Sequence, residues 1–108
     1  MKKMKKRKGY QAEYKFRQKI KKEGNFIVKL AIGEVADYIL IKQNKLEIWE
    51  VKEGFGKRFY PNPREKRQIE KIKAIAKKNK IRAYLIYYPK EKRFKKVIYK
   101  TPLIIKLC

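Results

Sequence analysis

Residues 37–52, Asp-Tyr-Ile-Leu-Ile-Lys-Gln-Asn-Lys-Leu-Glu-Ile-Trp-Glu-Val-Lys, leave this chain little choice of local structure. Two β-prone runs, 36–42 and 46–52, flank the polar triplet Gln43-Asn44-Lys45, which predicts a β-hairpin. A turn centred there pairs residues whose numbers sum to about 87 or 88, so Asp37 falls beside Glu50 or Val51. Side chains alternate along a strand, so Glu50 and Lys52 share one face and Val51 takes the other. Two carboxylates and an amine therefore meet at one end of the hairpin. Crowded, half-buried carboxylates repel and lose hydration, a penalty that a divalent cation removes. Mg²⁺ takes oxygen ligands and activates water for attack on phosphate. Lys52 is placed to orient or deprotonate that water, or to neutralise charge on the phosphate. Taken alone, Glu-Val-Lys is also an ordinary strand end.

Composition narrows the partner. The 108 residues carry 33 Lys and Arg against 10 Asp and Glu, a formal net charge of +23. That excess calls for a polyanion, and nucleic acid leads. No run of about 18 apolar residues offers a membrane span, and the basic N-terminus lacks the apolar stretch of a secretory signal, so a cytoplasmic, DNA-associated protein with no membrane partner is expected. Histidine is absent and Cys108 is the only cysteine. His-based acid/base chemistry and His- or Cys-ligated zinc are excluded, which leaves carboxylates as the strong metal ligands.

The length suits one domain, 1–108, with 1–8 as a flexible basic arm whose Lys5, Lys6, Arg7 and Lys8 are candidate phosphate contacts. A helix is predicted over 10–23, ended by Gly24, with Ala12, Phe16 and Ile20 as its apolar stripe. Glu13 shares that stripe, held there by a Lys or backbone amide or reaching the Asp37–Glu50 cluster. Residues 25–32 read as a first strand with Phe26, Val28 and Leu30 on one face. After the hairpin, the loop from Glu53 to Pro61 interleaves Lys57 and Arg58 with three aromatics, a pattern suited to phosphate contact and base stacking, or to covering the core. Asn62-Pro63-Arg64-Glu65 is a helix start, with Asn62 as N-cap and Glu65 closing a capping box. The helix should run to about Lys78, bury Ile69, Ile72, Ile75 and Ala76, and turn Arg64 and Arg67 outward. Residues 81–88 form a buried strand, parallel to the second hairpin strand because a helix crosses between them. Residues 89–92 should turn the chain, 94–99 should return as an edge strand, and the apolar 103–107 should cover a sheet edge or join a second subunit.

This order of elements, with Arg7-Lys8-Gly9-Tyr10-Gln11-Ala12-Glu13, Val35-Ala36-Asp37 and Trp49-Glu50-Val51-Lys52, resembles the PD-(D/E)xK nuclease core, and within it the archaeal-type Holliday junction resolvases. The resemblance implies an α/β, restriction-endonuclease-like fold, a central mixed five-stranded sheet with a helix on each side. It implies a catalytic set of Glu13, Asp37, Glu50 and Lys52, with Glu13, Asp37, Glu50 and the Val51 carbonyl binding Mg²⁺ or Mn²⁺. It also implies a homodimer that cuts opposing strands of four-way DNA junctions, in recombination and repair. The family often carries a Ser before the Asp, where this chain has Gly33-Glu34, and Glu34 is at most an auxiliary acid. Two other readings stand beside this one: a non-catalytic basic nucleic-acid-binding protein, and a nuclease of the same core acting on other DNA.

Overall fold

A computed structural model describes residues 10–30 and 36–108. The elements run α1 (Tyr10–Lys22), β1 (Phe26–Lys29), β2 (Tyr38–Lys42), β3 (Lys45–Gly54), α2 (Pro63–Asn79), β4 (Arg82–Arg93), β5 (Lys96–Tyr99) and β6 (Leu103–Lys106). The architecture is α/β: one mixed sheet ordered β1-β2-β3-β4, with β5 and β6 both against β4, and a helix on each face.

The β2–β3 turn falls on Gln43 and Asn44, both at positive φ, in the two-residue geometry that amide side chains tolerate. Tyr38 pairs with Trp49 and Lys42 with Lys45, which gives the register expected from sequence and sets Asp37 level with Glu50. β3 pairs parallel with β4 over eight residues, from Glu47↔Arg82 to Gly54↔Pro89. The crossover between them is α2.

Alternation along β3 builds both layers of the core. Trp49 and Val51 join Ala12, Phe16 and Ile20 of α1 with Tyr38, Leu40, Ile86 and Tyr88. Phe16 packs on Tyr38 and Trp49 at ring-centroid distances of 5.4 and 5.2 Å. On the opposite face Ile48 and Ala83 meet Ile72 and Ala76 of α2, where small side chains let the helix sit close. α1 ends in a Schellman motif, with Gly24 at φ 80° and the Asn25 N–H donating to the Ile20 carbonyl at 3.2 Å. The predicted capping box starts α2: Asn62 Oδ1 accepts from the Glu65 N–H at 2.8 Å, and Glu65 Oε1 accepts from the Asn62 N–H at 3.0 Å.

As expected, β1 sets Phe26 and Val28 on one face and Ile27 on the other: Ile27 turns toward the α1 core, while Phe26 and Val28 are exposed. They pair with Ile41 and Ile39 on the face that carries α2, but α2 lies over β3 and β4 and leaves that end of the sheet open. Three expectations need correction. First, the strand expected over 25–32 is shorter, since β1 stops at Lys29; residues 31 and 32 lie outside the described residues. Second, Ile75 is exposed and Ile69 half-buried; only Ile72 and Ala76 are fully covered, because α2 rests on the sheet along a narrow line. Third, residues 89–92 do not turn: β4 continues to Arg93, and the reversal comes at Phe94 and Lys95. Pro89 has no N–H to give the ladder, and its carbonyl still accepts from the Lys100 N–H at 2.7 Å. A sixth strand adds to the five-stranded plan. β5 and β6 form a nearly continuous antiparallel return along β4, broken by a bulge where Lys100, Thr101 and Pro102 face only Tyr88 and Pro89. The apolar end 103–107 thus lines the β4 edge. Among the described residues no helix is long and apolar enough to cross a membrane, and Cys108 is free and exposed.

Candidate active site

Asp37, Glu50 and Lys52 come together near the C-terminal end of β3. Asp37 sits just before β2, and its Oδ2 accepts a hydrogen bond from the Val51 N–H at 2.9 Å, which ties the acid to the neighbouring strand. Glu50 projects from the face of β3 opposite Trp49 and Val51, under α2. Its side chain is 4% exposed, with Oε2 3.2 Å from Lys52 Nζ. Its Oε1 is buried and has no hydrogen-bond partner among the described residues. Gln68, from α2, also hydrogen-bonds to Glu50.

The electrostatics follow from this crowding. Burial, and then the charge of Asp37, push the Glu50 carboxyl up to about 7 against the pull of Lys52 and Gln68. Asp37 is likewise raised, first by burial and further by Glu13, against the Val51 N–H, Lys52 and Lys29. Two desolvated carboxylates side by side, one with an oxygen lacking a donor among the described residues, form a site of unbalanced negative charge.

Glu13 stands apart from that pair. It projects from α1 on the other face of the sheet, and its Oε1 accepts from Lys29 Nζ at 2.7 Å and from the Tyr38 hydroxyl at 2.8 Å. Burial and the bond to Glu13 push the Tyr38 hydroxyl well above its ordinary range. Glu13 is close enough for its charge to raise Asp37, yet among the described residues no three acidic side chains gather into one cation cage. Lys5, Lys6, Arg7, Lys8 and Glu34 lie outside the described residues. Lys57, Arg58, Arg64 and Arg67 are all exposed, the first pair on the loop after β3 and the second on the opening turns of α2. The loop is fixed where it leaves the sheet: the Tyr87 hydroxyl donates to the Gly56 carbonyl at 2.7 Å, and a Cβ on Gly54 would fall 2.8 Å from that hydroxyl.

Two contributors escape sequence reasoning. Glu65 is legible as a capping residue, but while its Oε1 closes the cap its Oε2 lies 3.8 Å from Lys52 Nζ. One carboxylate thus ties the start of α2 to the site amine. Gln68, three residues on, points from the same helical face, and the Glu-x-x-Gln spacing was the available signal.

No family model and no curated protein sequence matches the chain. Among solved structures, the chain is similar to Hjc of Archaeoglobus fulgidus, a Holliday junction resolvase from an archaeal hyperthermophile. The TM-score is 0.63 at 16% identity, over 92% of this chain and 77% of that one. The fold is restriction-endonuclease-like. At that identity the likeness speaks to architecture: in this chain such a fold sets Asp37, Glu50 and Lys52 at one end of the central strands.

Proposed function

We propose that the protein is a metal-dependent, structure-selective DNA endonuclease that acts on four-way junctions as a homodimer. The observation that carries this reading is the buried Asp37–Glu50 pair, with one orphaned carboxylate oxygen beside Lys52, on a chain of net charge +23 with the fold of a resolvase.

The residues fit a divalent cation such as Mg²⁺ or Mn²⁺. Glu50 Oε1 is a buried acceptor with no donor among the described residues, and Asp37 would offer the oxygen not bound to the Val51 N–H; the family resemblance adds the Val51 carbonyl and Glu13, of which Glu13 would have to leave Lys29 and Tyr38 to join them. When bound, such an ion neutralises charge on a phosphodiester and supplies hydroxide at neutral pH. Lys52 holds Glu50 through Oε2 and presents its ammonium to charge developing on the phosphate. Glu65 and Gln68 fix Lys52 and Glu50 from above. Arg64, Arg67, Lys57 and Arg58 take DNA arms through phosphates without reading bases. A two-fold pair of chains would offer two such sites to the two equivalent strands of a junction.

The test is incubation of the purified protein with a labelled four-way junction and a linear duplex, with Mg²⁺ and with EDTA. Mg²⁺-dependent nicking of opposing junction strands is expected. Equal cutting of the linear duplex would move the reading to a nuclease with another substrate. The engagement of Glu13 by Lys29 and Tyr38 favours a second reading, a non-catalytic basic DNA-binding protein, which predicts no nicking of either substrate.

A further inference from the structure

The β4–β5 hairpin ends in a two-residue turn, closed by the Arg93↔Lys96 pair, with Phe94 at φ 46° and Lys95 at φ 67°. That geometry needs left-handed backbone at both positions, which Asn and Gly adopt readily and a bulky aromatic does not. The β2–β3 turn solves the same problem with Gln43 and Asn44. Phe94 is moreover 98% exposed. The tip therefore bears an aromatic ring that the fold neither buries nor favours at that backbone position.

Its surroundings say what the ring would meet. Lys92, Lys95 and Lys96 are exposed and ion-pair with none of the described residues, while Arg93 and Lys100 are drawn back by Glu91 at 2.6 and 3.0 Å. An unpaired cationic collar round an exposed ring fits phosphates beside an open base face, and it repels a second copy of this basic chain. The hairpin also extends from the end of the sheet that holds the candidate site. Lys52 is level with Tyr87, and Phe94, the first residue past the end of β4, lies seven residues further on. At about 3.3 Å per residue that is on the order of 20 Å of contour, about one duplex width.

We propose that Phe94 is a stacking wedge that inserts against unpaired or unstacked bases at a DNA branch point while Lys92, Lys95 and Lys96 hold the flanking phosphates. The wedge rests on the junction reading above and deepens it by naming the element that senses the branch.

Binding of the full chain in EDTA separates the wedge from cleavage. The probes are a four-way junction with 2-aminopurine at the branch and a linear duplex of matching length. Wild type is expected to raise 2-aminopurine fluorescence. Phe94→Ala should weaken junction binding about tenfold, abolish the fluorescence rise and leave duplex binding unchanged, and Phe94→Trp should restore both. Phe94→Asn, better suited to the turn, should melt at or above the wild-type temperature yet bind the junction as weakly as Phe94→Ala. Wild-type junction binding by the Ala and Asn variants, or equal loss on duplex and junction, would overturn the wedge. Absence of Mg²⁺-dependent cleavage with the wedge signature intact would sink the nuclease reading alone.

Discussion

Glu50 and Glu53 are three residues apart on β3, on opposite faces of the sheet, and each is buried with a lysine at 3.2 Å, their side chains 4% and 6% exposed. Glu53 is fully engaged: Oε1 takes Lys90, and Oε2 takes the Tyr99 hydroxyl at 2.7 Å. That cluster staples β3 to the β4–β5 hairpin. Glu50 shares its lysine with Glu65, faces Asp37, and keeps one oxygen without a donor among the described residues. Burial with a lysine is common to both, so burial does not distinguish a reactive carboxylate from a structural one. The distinction is what remains unbalanced after the neighbours are counted.

The comparison is broken or sharpened first by activity. Asp37→Asn and Glu50→Gln should each lower Mg²⁺-dependent junction cleavage by at least about a thousandfold, with binding kept or tightened because negative charge is removed near DNA. Glu53→Gln should cut at near the wild-type rate. Gel-based single-turnover assays read both. In stability the order reverses. Glu53→Gln leaves Lys90 without its charge partner and should cost on the order of 3 kcal/mol in urea unfolding. Glu50→Gln at pH 8 without metal should be neutral or stabilising.

The pH dependence follows with a definite sign. The Glu50 carboxyl is raised to about 7 in the fold from an ordinary 4.5, and Asp37 is raised too, so between those values the native state binds more protons than the unfolded chain. In EDTA these two groups make stability fall as pH rises from about 4.5 to 7, by on the order of 3 kcal/mol at most from Glu50. Thermal melts across that range should show the slope, and Glu50→Gln should flatten it. The smallest effect is expected at the cap: Glu65→Ala should cost about 1 kcal/mol of stability and a few-fold in cleavage, because it frees both the start of α2 and Lys52.

How far the chain could be read without its structure varies with the range of the cause. The Gln43-Asn44 turn, the parity of Glu50 and Lys52, the Asn62–Glu65 cap and the parallel β4 all follow from local chemistry or chain connectivity, and the fold class followed with them. The exposure of Phe26 and Ile75 depends on where α2 comes to rest, which periodicity does not encode. β4 runs past Pro89 into a turn built from Phe94 and Lys95, residues that carry no turn signal. At the site, Asp37, Glu50 and Lys52 were legible from hairpin register. The capture of Glu13 by Lys29 and Tyr38, and the second roles of Glu65 and Gln68, arise only when separate elements pack.

The most direct measurement is calorimetric titration of Mn²⁺ into the wild-type protein, Glu50→Gln and Glu53→Gln at pH 8, each first shown to be folded. Wild type and Glu53→Gln should take up the ion with similar affinity, and Glu50→Gln should lose measurable binding. Unchanged uptake by Glu50→Gln, or none by the wild type, would contradict the assignment of Asp37 and Glu50 as a cation-holding pair.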